Sequence, residues 1–274
     1  GLVDDADFGG GIFANMGSSI TVQDSFILSN TARSGGGMYF DGAAALITNS
    51  TVQFNRVDSP SVALGGGIRS GPTGSLTVID TFILNNRIEH EGGGGGVSTA
   101  TPNALFQNCQ INGNSIDQPL GFPFVQYGAG VASGASSQFI DCQINGNYNP
   151  IGSGGGVAGG GTFDNCEISG NRSVHGAGAS GNGTFVNCLF ENNVAAPQTG
   201  ECLGEGGGVR GGTLIHCRLA GNAAARSGGG AHLADLTNCE VEGNSIYGSC
   251  DPVGSGGGLS NCTAQDSLIV NNRI

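Results

Sequence analysis

Apolar residues return along this chain at fixed single positions, and each return is framed by two alternating marks. The first mark is a glycine-rich triplet followed by an apolar residue. It begins at Gly9, Gly35, Gly65, Gly94, Gly128, Gly154, Gly176, Gly206, Gly228 and Gly256. The second is Asn or Asp, a small residue, any residue, an apolar residue, two more residues and then Asn, as in Asp80-Thr81-Phe82-Ile83-Leu84-Asn85-Asn86. Ten copies of each mark alternate strictly, with triplets 22 to 34 residues apart. Almost all of the extra length falls between the closing Asn and the next triplet, so insertions belong to one corner. Every apolar segment is short and bounded by Gly or Asn, which predicts strands and not helix pairs.

A unit of 22 residues suits three short strands and three turns, one coil of a solenoid. One coil cannot bury its apolar side chains; stacking does that. The expectation is all-β: a right-handed parallel β-helix of about ten coils over residues 1–274, one domain, with long insertions at one corner. At the strand spacing of roughly 4.8 Å, ten coils make a rod about 45–50 Å long.

Stacking predicts vertical columns. The inward apolar column is Ile27, Val52, Ile83, Ile111, Ile144, Ile168, Phe190, Leu219, Val241 and Ile269. The asparagine column is Asn30, Asn55, Asn86, Asn114, Asn147, Asn171, Asn193, Asn222, Asn244 and Asn272. Asn is expected there because it tolerates left-handed dihedrals and its amide can bond to the Asn above and below. The glycines supply freedom at another corner, where side chains would crowd the stack.

These marks resemble the repeats of polymorphic outer-membrane proteins, autotransporter passengers of the wider pectate-lyase-like β-helix class. That family's Gly-Gly-Ala-apolar and Phe-x-x-Asn appear here as Gly-Gly-Gly-apolar and mostly Ile-x-x-Asn, with Phe190-Glu191-Asn192-Asn193 keeping the Phe. The resemblance spans the chain. It implies the β-helix architecture, and it implies no single function, since the fold carries adhesins, lyases and stalks alike.

Cysteine sharpens the picture. Cys109, Cys142, Cys166, Cys188, Cys217 and Cys239 share the small-residue column with Ser25, Ser50, Thr81 and Ser267. Either they stack as buried thiols, or neighbouring coils are joined by vertical disulfides. Cys202 and Cys250 lie in long corner insertions two coils apart, with only Ala223–Ser227 at that corner between them, and are a candidate disulfide. Nothing has the spacing of a metal site: there is no CxxC and no paired His. No phosphate loop or calcium nonapeptide occurs, so no cofactor is expected.

Glycine supplies 54 of the 274 residues, charged residues are 11%, and the net charge is −12. That charge repels nucleic acid, and no apolar run is long enough to enter a membrane as a helix. No acidic cluster follows the triplets, where the outward positions include Tyr39, Arg69, Ser180, Arg210 and His232. The first catalytic suspects would be Glu240 and Glu242 with His232, and solvated edge residues are the simpler reading. The resulting expectation is a non-catalytic extracellular or cell-surface scaffold, structural or adhesive, associating with itself end to end or laterally. It would offer corner insertions such as Ser115–Tyr127 and Val194–Glu205 to a glycan or surface ligand. The alternative is a carbohydrate-active β-helix. Neither end shows a capping helix, so the chain is expected to be part of a longer repeat protein or a stacking subunit.

Overall fold

The computed structural model describes residues 8–59, 63–90, 92–117, 128–197, 203–248 and 255–274. Within them the chain is a parallel β-helix. Each triplet opens a coil, and each coil lies in register on the one before. Two sheets run the whole length with ten strands each, the first from Ile12–Asn15 to Leu259–Ser260 and the second from Ser19–Gln23 to Thr263–Gln265. The third sheet holds the inward apolar column. It divides into four and five strands, linked through single bridges at Gln143.

A fourth sheet of nine two- to six-residue strands, Thr31–Ala32 to Ser245–Ile246, follows the Asn column. The sequence predicts three strands per coil; the fourth is too short to show a period of its own. It buries Val57, Ile88 and Ile116 in a small cluster with Ala63 and Ala129, separate from the main core. The Asn column therefore stands between two apolar regions.

The main core runs from Ala14 in the first coil to Val241 in the ninth. Its inward column is buried except at the last coil, where Ile269 is 49% exposed because nothing stacks beyond it. On the second sheet, Phe106, Phe139, Phe163 and Phe185 stack with ring centroids 4.8, 4.7 and 4.9 Å apart. That spacing is the rise of one coil, so identical flat side chains pack face to face without leaving a void.

The turns are made differently from the sequence expectation. The column asparagines are not left-handed. The left-handed residues are those just before them, among them Ser29, Phe54, Asn85 and Asn192 and, in other coils, Gly113, Gly146 and Gly170. A second left-handed turn falls on the Asp/Asn column, from Asp24 to Asp266, with φ between 46° and 55°. Asn and Asp reach that region at less cost than other side chains. In the first six coils Asp and Asn alternate there. Asn108 donates to Asp80 at 2.6 Å and Asn165 to Asp141 at 2.7 Å, so no two carboxylates face each other across one rise.

Candidate functional site

The Asn column forms an unbroken ladder. Asn147 shows its unit: Oδ1 accepts from the Asn114 backbone N–H at 2.9 Å and from Asn114 Nδ2 at 3.1 Å. Its Nδ2 donates to Asn171 Oδ1 at 3.0 Å and to the Ile111 carbonyl at 2.9 Å. All four hydrogen-bonding positions of the amide are used, although the residue is only 1% exposed. Asp in this place would lose both donors, and Gln would be one methylene too long. This is why Asn recurs where neighbouring columns vary.

The two sequence marks meet here. The third glycine of each triplet lies against the Asn of its own coil: a Cβ on Gly156 would stand 2.9 Å from Asn171 Nδ2 and 2.6 Å from the Gly178 carbonyl. The same approach recurs at Gly67 and Asn86, Gly96 and Asn114, and Gly130 and Asn147. By contrast, the middle position holds Ala129 and Ala177 in two coils.

The six stacked cysteines are free and buried. Each thiol donates to the carbonyl two residues back, as Cys109 does to Gln107 at 3.3 Å, and Ser50 and Thr81 make the same bond at 2.8 Å in their coils. Hydrogen bonding between neighbouring thiols splits their pKa values: Cys109 and Cys166 are pushed well up and Cys217 up to about 12, while Cys142 and Cys188 between them are held down to about 4. Shifts of opposite sign act oppositely on stability as pH rises, so the column gives no one-directional alkaline loss. Cys166→Ser is expected to keep the fold, losing no more than about 1–2 kcal/mol because the hydroxyl repeats the bond. Chemical denaturation at pH 7 checks this, and a larger loss would mean that the bulk of the sulfur, not its bond, holds the column. The candidate pair Cys202 and Cys250 lies outside the described residues.

The outward face of the first sheet is less open than the sequence implies. Tyr39 is 6% exposed, enclosed by the Phe8 and Phe13 rings and by the Arg69 guanidinium 4.6 Å from its ring centroid. Farther along, Ser180, Arg210 and His232 stand on consecutive coils in register. Glu205, from the corner insertion, reaches this column. Its carboxylate lies 3.3 Å from Arg210 Nε, 3.3 Å from Arg226 Nη1 and 3.7 Å from His232 Nε2. Burial lowers the pKa of both His175 and His232, only partly offset by Glu205, so both are neutral near pH 7.

The suspected set of Glu240, Glu242 and His232 is not assembled. The two glutamates sit on the third sheet, each 3.2 Å from Arg218, while His232 faces Glu205 on the first. Outward alternation on a β-helix separates residues by sheet, and nearness in sequence does not undo that.

Two surface concavities carry polar groups. A cleft of about 270 Å³ is lined by Ser180, Gly181, Asn182, Arg210, Gly211 and Leu233. A groove of about 340 Å³ is lined by Asn49, Asp80, Thr81, Phe82, Asn108 and Gln110. Among the described residues, no three His, Cys, Asp or Glu side chains form a group that could hold a metal. Among the described residues, no helix is long and apolar enough to cross a membrane.

No protein-family model, curated protein or solved structure matches this chain.

The Glu205 cluster is the feature that sequence reasoning missed. Arg210 and His232 are visible as neighbours in an outward column. Glu205 comes from an insertion of unequal length, which the repeat does not place.

Proposed function

We propose that this chain is a non-catalytic, extracellular or cell-surface scaffold, a rigid rod of the kind seen in autotransporter passengers, which its repeats resemble. The observation that carries this reading is the unbroken Asn ladder beside a continuous core. Such a rod transmits position and force along its axis, and the bonding that recurs in every coil serves rigidity, not a reactive group.

Self-association end to end fits the polarity of the ladder. Among the described residues, Asn30 Oδ1 receives no donor at the first coil and the Asn272 N–H has no acceptor at the last. The first coil also leaves an opening of about 440 Å³, where Ile12, Ile20, Val22 and Ile27 lie beside Thr21, Ser25 and Asn30. One further coil, from a continuing chain or another copy, would satisfy both ends in a head-to-tail sense only.

Sedimentation velocity and electron microscopy over rising concentration provide the test. Rods that lengthen in steps of about 48 Å, ten rises of roughly 4.8 Å, are the expected result. Globular or side-by-side clusters with no axial growth would remove the end-to-end part of the reading.

A second reading, a carbohydrate-active β-helix, draws on the groove where the half-exposed Phe82 ring neighbours Asp80, Asn108 and Gln110. An aromatic platform rimmed by amides suits a sugar ring. Glycan-array binding together with release of reducing ends would favour it over the scaffold; binding without release would leave a glycan-adhesive rod.

A further inference from the structure

We propose that the cleft of Ser180, Asn182, Arg210 and Leu233 binds a carboxylate, either of a small organic acid or of a peptide C terminus. The proposal goes beyond the scaffold role and does not depend on it.

Arg210 anchors the cleft. Its backbone position is fixed by register between Ser180 and His232. Glu205 holds the guanidinium from one side, at Nε. Among the described residues nothing accepts from Nη1 or Nη2, and the side chain lines the cleft. An arginine fixed at Nε presents its terminal nitrogens as a planar pair, the geometry that a carboxylate accepts with both oxygens.

Next to it, Ser180 is 5% exposed and its Oγ has no hydrogen-bond partner. A buried hydroxyl without a partner is destabilising, and a ligand oxygen that displaces the cover over it would relieve that cost. Asn182 adds an amide to the rim.

Charge agrees with this assignment. Arg210 and Arg226 flank the single carboxylate of Glu205, and both histidines nearby are neutral around pH 7. Among the described residues of this cluster, two positive groups face one negative, a local surplus of one positive charge in a chain whose net charge is −12. Anions are thus drawn to this patch and repelled from the chain as a whole. The cleft, at about 270 Å³, lies just below the usual range for drug-sized ligands, which suits a small acid or the last residue of a chain.

The test is an NMR titration of the intact protein, following the amides of Gly181, Asn182 and Gly211. The probes are propionate, its neutral isostere propionamide, inorganic phosphate, and an acetylated dipeptide with a free or an amidated C terminus. Propionate is expected to shift these amides saturably and propionamide to leave them still. Arg210→Gln is expected to weaken propionate at least about 10-fold, the worth of one charge-assisted pair. Arg210→Lys, which keeps the charge and loses the fork, is expected to weaken it as well. Should Arg210→Gln not fold, Ser180→Ala gives the second reading, with a weakening of several-fold expected.

Equal shifts from propionate and propionamide, phosphate binding as tight as propionate, or unchanged binding in the folded variants would each overturn the assignment. A free dipeptide that binds more tightly than propionate, with its amide silent, supports the site and names a peptide terminus as the source. A silent free dipeptide beside binding propionate supports the site and names free acids.

Discussion

Asn147→Ala is expected to destabilise the rod by about 4 kcal/mol, at the upper end for one substitution. The truncation removes the acceptor of the Asn114 N–H and of one Asn114 Nδ2 proton, and it removes the donor to the Ile111 carbonyl and to Asn171. The orphaned donors stay buried, because the main core lies on one side of the ladder and the apolar residues under the fourth sheet lie on the other. Each buried unsatisfied group costs roughly 1–3 kcal/mol, and no water reaches a residue this enclosed. In a solenoid the loss falls on the interface between adjacent coils, so the two halves of the rod should lose some of their coupling. Urea denaturation followed by hydrogen exchange checks this. The midpoint should fall, and protection should drop first in coils flanking position 147. An unchanged midpoint would mean that the ladder bonds carry little net stability.

Gly156→Ala is expected to cost about 3 kcal/mol or more, by a different route. The added Cβ would meet the Gly178 carbonyl at 2.6 Å and the Asn171 amide at 2.9 Å, and neither is the free end of a flexible chain. Relief requires the next coil to move away or the ladder to open, and overpacking of this kind costs upward of roughly 1–3 kcal/mol even where the surroundings yield. Gly146→Ala is the matched comparison. Gly146 has φ +64°, yet no atom lies within 4 Å of its Cβ position, and Phe54 and Asn85 hold the equivalent place in other coils. Only the left-handed strain of about 1–2 kcal/mol remains there. Thermal denaturation of the two variants side by side should therefore rank Gly156→Ala clearly lower. Equal losses would mean that backbone dihedral strain, not the close approach, governs the triplet.

Much of the architecture was legible in the chain because stacking makes every coil repeat the same constraints. The marks at Gly67 and Asn86, some twenty residues apart, recur together because they touch. The inward column from Ile27 to Val241 was readable for the same reason: one position, repeated, always apolar. What stayed hidden has physical causes. The fourth sheet contributes strands as short as Arg56–Val57, too few residues to show alternation. The left-handed turn before each Asn is held by Gly or Asn in eight of ten coils, yet the unvarying Asn beside it drew the expectation to the wrong position. The thiol column was seen, yet its choice between free and bridged was open until each Cys side chain was found donating to a carbonyl of its own coil. Glu205 entered the Arg210 cluster from an insertion that the repeat does not constrain.

Position along the rod follows the number of coils and not the number of residues. Pulsed electron-electron distance measurement between labels on the second sheet tests it, using the register column of Thr21, Thr77, Gln138 and Asp235, with labels carried on non-natural residues so that the native thiols stay untouched. From Asp235, the expected distances are about 19 Å to Gln138, about 29 Å to Thr77 and about 38 Å to Thr21, that is four, six and eight rises of roughly 4.8 Å. Distances that track the unequal residue counts between these sites, or that cluster at one value, would contradict it.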